Sequence, residues 1–88
     1  MHKEIVTRYK IELKLSGIQN LNDETRYPRL AVQDLIAWAK DEYPEEEILG
    51  LKIIRVTEMP QFGCVKTEVK EERKMAKQLW AEVKKETE

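Results

Sequence analysis

From Ile5 to Leu15 the chain alternates without a break, with Ile5, Thr7, Tyr9, Ile11, Leu13 and Leu15 at odd positions and Val6, Arg8, Lys10, Glu12 and Lys14 between them. Successive Cβ atoms along a strand point to opposite faces, so a period of two sends one set of side chains to a core and the other to water. A helix, at 3.6 residues per turn, would scatter both sets around its axis. The segment therefore predicts a strand over 5–15, about 36 Å long at ~3.3 Å per residue and longer than the usual five or six residues. A half-buried strand needs layers to cover it, and the rest of the chain must supply them.

Residues 16–27, SGIQNLNDETRY, show no period and collect Gly17, Asn20, Asn22 and Asp23. They read as a loop, with Ile18 and Leu21 tucked onto the core edge. Pro28 suits the first turn of a helix, with Asp23, Glu24 and Thr25 upstream as capping or charge-favourable groups. Beyond it Ala31, Val32, Leu35, Ile36, Trp38, Ala39 and Tyr43 fall on one broad arc, which predicts a helix over 28–42. The following Tyr43–Gly50 segment, with Pro44 near its start and Gly50 at its end, reads as a one-turn helix.

LKIIRVTEM, residues 51–59, carries Leu51, Ile53 and Met59 on one side and Ile54 and Val56 on the other, the signature of a central strand. Met59–Gly63 has turn chemistry, with Pro60 suited to the second position of a type I turn. CVKTEV reads either as a strand, sharing Val65, Thr67 and Val69 on one face, or as the first turn of a helical stripe. The strand is preferred because Val and Thr cluster there and the preceding turn has hairpin length. From Glu71 to Lys85, strong helix formers carry Met75, Ala76, Leu79, Trp80 and Val83 on one side, so a second helix follows. The predicted order is β-α-β-β-α in an α+β, two-layer sandwich, a three-stranded sheet with both helices on one face.

Eighty-eight residues allow one hydrophobic core, so residues 1–88 are expected to form a single domain. Sixteen basic and seventeen acidic residues leave a net charge of −1, which selects no class of partner. The single cysteine, Cys64, has no internal disulfide partner, and its position after a turn predicts a buried or half-buried structural thiol. The charged N-terminal stretch lacks the apolar run of a signal peptide, and no run reaches the ~18 apolar residues of a membrane span. A cytoplasmic protein without membrane contact is the expectation.

Catalytic motifs are missing. His2 stands beside the initiator Met, where nothing fixes it for proton transfer, no Cys/His spacing matches a zinc site, and Gly17, Gly50 and Gly63 form no phosphate-binding loop. The sequence thus predicts no enzyme, no metal and no cofactor. Two surface features point to macromolecular binding. Asp41, Glu42, Glu45, Glu46 and Glu47 crowd the end of the first helix, where the macrodipole disfavours anions, and with Trp38 they suggest a contact site for a protein with a basic surface. Arg8, Lys10 and Lys14 line the wet face of the first strand and suggest the alternative, a nucleic-acid-binding sheet face, although Glu12 interrupts the row. For either group the plainer account is a solvated surface, and for Trp38 and Trp80 it is core packing. The favoured function is a non-enzymatic protein-binding module, a small inhibitor or adaptor; phage and mobile-element accessory proteins of this size offer an analogy only. Self-association into a homodimer through the long strand, residues 5–15, is a further expectation, resting on its surplus of unpaired edge.

Overall fold

The computed structural model describes residues 5–17 and 20–87, with side chains as far as Val83. His2 and Ile18 lie outside the described residues. The elements are β1 (Val6–Leu15), β2 (Leu21–Thr25), α1 (Pro28–Glu42), β3 (Ile48–Gln61), β4 (Cys64–Glu71) and α2 (Arg73–Thr87). The strands form one antiparallel sheet in the order β2-β1-β3-β4. The α+β class and both long helices agree with the sequence reading. The sheet has four strands rather than three, and the order is β-β-α-β-β-α.

The unanticipated strand is β2, inside the segment read as a loop. Leu-Asn-Asp-Glu-Thr has little intrinsic strand preference, and pairing with β1 from Leu13↔Leu21 to Tyr9↔Thr25 imposes the conformation. Asp23, Glu24 and Thr25 are therefore strand residues rather than helix caps. Tyr27 takes the N-cap of α1 with no side-chain cap, and Thr25 Oγ1 instead accepts the Tyr27 N–H at 2.9 Å. Pro28 sits in the first turn as its fixed φ predicts.

The odd residues of β1 go inward as the alternation requires. Ile11 stands opposite Ile53 and Leu13 opposite Leu51, so the two central strands present one apolar face. Onto it pack Ala31, Val32, Ile36 and Ala39 of α1 together with Leu79 and Val83 of α2, in a single cluster with Ile11, Leu13, Leu15 and Ile53. Both helices thus cover the same face.

Tyr43–Gly50 does not form the expected one-turn helix; the chain turns at 44–45, and β3 begins at Ile48. Ser16 takes over the polar groups there. Its N–H donates to the Glu47 carbonyl at 2.9 Å, its hydroxyl donates to the Glu46 carboxylate at 2.8 Å, and the Glu47 N–H donates back to that hydroxyl at 2.9 Å. A Cβ at Gly17 would come within 2.8 Å of the Glu46 carboxylate, so a larger residue there would displace that side chain from Ser16.

The hairpin turn lies two residues later than the Pro60 signal suggests. Gln61 pairs with Cys64, leaving Phe62 and Gly63 as a two-residue turn with φ of 44° and 79°. Positive φ at both central positions is the I′ pattern, whose twist matches that of the strands. Pro60 remains inside β3. By the alternation of the ladder its missing N–H falls on the β1 side, past the last described pair, Val6↔Glu58.

Candidate functional site

The sheet does not end where the helices end. Among the described residues α1 rests on β1 and β2, and α2 rests on β3, while neither helix packs over β4, which meets α2 only at their junction, where Arg73 pairs with Glu71 at 3.3 Å. Every residue of β4 is exposed. The far half of the β3–β4 hairpin therefore projects from the body, in keeping with a radius of gyration of 15.3 Å, against about 12 Å for a compact chain of this length.

At the tip stands Phe62, 97% exposed and in the left-handed region. That conformation is an outlier for a bulky side chain, which Asn or Gly at the same position would avoid. Behind it, on the face turned away from the helices, Val65 and Val69 are exposed and pair with Pro60 and Val56. Val6 and Ile54 lie half-buried on this same face, as shown by their pairs with Glu58 and Lys10. Val56 is buried here between its register neighbours Arg8 and Val69, apart from the helix-covered cluster. The open face of the hairpin thus carries two apolar pairs, separated by the Thr67–Glu58 pair, below an aromatic tip. The Val–Thr–Val alternation was visible in the sequence, but it also suited a strand buried by helices, and only the absence of cover over β4 makes it a surface.

Cys64 opens β4 and is exposed, which corrects the expectation of a buried or half-buried thiol. It follows the turn directly, outside the reach of both helices. The five carboxylates between 41 and 47 and Trp38 lie at the opposite end of the sheet. Asp41, Glu42, Glu45 and Glu47 are exposed and, among the described residues, form no ion pair with Lys or Arg. Glu46 differs, since its carboxylate is held by Ser16. Trp38 is 46% exposed, with its ring edge-on to Tyr43 at a centroid distance of 5.7 Å. Trp80, by contrast, packs against the core cluster.

The basic row on the open face is largely answered by acids. The Arg8 guanidinium bridges Glu24, at 2.9 Å, and Glu58. Lys10 stands opposite Glu24 in β2, and Glu12 stands opposite Lys52 in β3. Lys14 is exposed opposite Gly50. Between β2, β1 and β3 the face has a shallow depression of about 480 Å³ lined by Lys10, Glu12, Asn22, Glu24, Lys52 and Ile54. Its charges alternate in sign and offer no run of cations for a phosphate backbone.

The edge that self-association through residues 5–15 requires is occupied. Strand β1 is central, paired with β2 from Tyr9 to Leu13 and with β3 along its whole length. Among the described residues no group of three or more His, Cys, Asp or Glu is placed to hold a metal, and no helix is long and apolar enough to cross a membrane. Comparison with protein-family models, curated proteins and solved structures finds no match to this chain.

Proposed function

We propose that this chain is a non-enzymatic protein-binding module, an inhibitor or adaptor, that seats the tip of its β3–β4 hairpin in an apolar pocket of a partner protein. The observation that carries this reading is Phe62: fully solvated, strained, and mounted on a turn whose rigid two-residue geometry fixes its direction. Aromatic anchors that enter a partner's pocket supply most of the energy of such contacts. A free, exposed Cys64 suits a reducing compartment, and a cytoplasmic location belongs to the same reading.

The test compares proteins captured from the native host by the wild type and by Phe62→Ser, with circular dichroism to confirm that both are folded. A partner held by the wild type and lost with Phe62→Ser, at a cost of at least about tenfold in affinity, supports the tip as the anchor. Equal capture by the two proteins refutes it.

A second contact is proposed at the other end of the sheet, where Trp38 is half exposed beside carboxylates that have no cation partner among the described residues. It fits a protein with a basic surface. Replacing Glu42, Glu45 and Glu47 by Gln should slow association and flatten its salt dependence while leaving dissociation nearly unchanged. Glu46 is left intact because it holds Ser16. The nucleic-acid alternative draws less support, because the Arg8 charge is answered by Glu24 and Glu58. Anisotropy titrations at low salt with single- and double-stranded DNA and RNA decide it, and no binding at tens of micromolar removes it.

A further inference from the structure

The sheet has two outer edges, and they are built differently. On β2 the edge is five residues long and carries Asn22, Asp23 and Glu24, so a second copy pairing there would bring acid against acid. On β4 it is eight residues long, without Pro, and pairs with β3 in continuous register from Gln61↔Cys64 to Ile54↔Glu71. It has none of the short length, bulge or helix cover that normally blocks an edge.

Which backbone groups of β4 face outward follows from one hydrogen bond. The Glu72 N–H donates to the Ile53 carbonyl at 2.8 Å, so the even residues along this stretch bond inward to β3. In an antiparallel ladder the direction alternates residue by residue, which leaves the N–H and C=O of Val65, Thr67, Val69 and Glu71 pointing to the free edge. An incoming antiparallel strand would bond to those four residues.

We infer that the occupant of this edge is a second copy of the chain, joined β4 to β4 about a two-fold axis at Thr67, so that two four-stranded sheets become one of eight. In this register Val65 stands opposite Val69 of the second copy, Thr67 opposite Thr67, and Lys66 opposite Glu68, with each unlike pair occurring twice. Val–Val and Thr–Thr neighbours stabilise one face of a sheet, and opposite charges stabilise the other. Within its own sheet Lys66 faces Met59 and Glu68 faces Thr57, so neither charge is answered across β3; the two form an exposed ion pair with each other at 3.6 Å along their own strand, and the second copy would add a cross-strand partner to each.

Neighbouring registers fit less well. Centring on Lys66 or on Glu68 sets like charges face to face, and the latter also opposes Lys66 to Lys70 of the second copy. Centring on Val69 keeps opposite charges together but opposes Val65 to Arg73, where α2 has already begun. The Thr67 register pairs residues 64–70 and leaves Phe62 outside the paired stretch. The dimer therefore goes beyond the proposed tip contact and is compatible with it, presenting two anchors to a partner.

Sedimentation equilibrium of the full chain, from micromolar to hundreds of micromolar, measures the association. The wild type should form a dimer. K66E and E68K should each weaken it by about tenfold or more, because either change turns two attractive pairs into repulsive ones. The combined K66E/E68K variant restores attraction only in the Thr67 register, since centring on Val69 would oppose the lysine introduced by E68K to Lys70. It should return to within about threefold of the wild type. Circular dichroism establishes that each variant is folded. A wild-type monomer across this range overturns the pairing, as does a double variant no stronger than the singles. The Phe62 comparison is unaffected by either result, because a host protein lost with Phe62→Ser is read out whether or not the chain pairs with itself.

Discussion

The two halves of the molecule repeat one order, β1-β2-α1 and β3-β4-α2, and meet along the central β1–β3 pair, yet they treat their outer strands in opposite ways. In the first half a long strand, β1, is paired with a short one, β2, and α1 lies over both. In the second a two-residue turn joins strands of fourteen and eight residues, and α2 lies over β3 alone. Repetition of an order does not carry repetition of burial. The two helices are each fifteen residues long, so strand length decides how far a hairpin outruns its cover, and what outruns the cover becomes surface with strand geometry already in place.

The largest effect expected from this contrast separates body from hairpin. Leu13 is fully buried between the helices and the sheet, and Leu13→Ala should cost about 2–5 kcal/mol by losing its transfer energy and leaving a cavity. Val69→Ala, on an exposed strand of the same sheet, should stay within about 0.5 kcal/mol of the wild type at concentrations where the chain is monomeric. Urea titrations of the two variants measure both. A loss at Val69 approaching that at Leu13 would mean the hairpin is as well covered as the body, and the contrast would collapse.

A middle-sized effect belongs to the seam between β1 and the start of β3. Ser16→Ala removes the hydroxyl that joins the Glu46 carboxylate to the Glu47 N–H, and about 1 kcal/mol should be lost. If denaturation shows no change, water replaces the hydroxyl and the seam is held by its backbone bond alone.

These magnitudes also show why some parts of the fold were legible in the sequence and others were not. β1, α1 and α2 could be read because each shows a period imposed by one buried face. β2 could not, because Leu-Asn-Asp-Glu-Thr becomes a strand only through the partner beside it. Composition along one helix end points to Trp38 and the acidic residues, and there the structure separates Glu46, bound to Ser16, from its exposed neighbours. In the sequence Phe62 reads as a turn residue, with a ring that could stack on a base in the nucleic-acid alternative. Its exposure depends on how far β3 and β4 run past α2, a length that the amino-acid pattern of the hairpin does not encode.

The smallest effect has the opposite sign to the others. Phe62 holds a φ of 44° without the side-chain hydrogen bonding that lets Asn adopt this region readily, and its ring buries almost nothing in return. Phe62→Asn should therefore stabilise the isolated chain by about 0.5–1 kcal/mol, while any contact anchored by the ring is lost. A gain in stability coupled to a loss of binding is the mark of a residue kept for its surface role rather than for the fold. Thermal unfolding of the two proteins, read beside their capture of a partner, checks both halves. If Phe62→Asn unfolds earlier than the wild type, the ring stabilises the hairpin itself, and the exposed tip has a structural rather than a binding role.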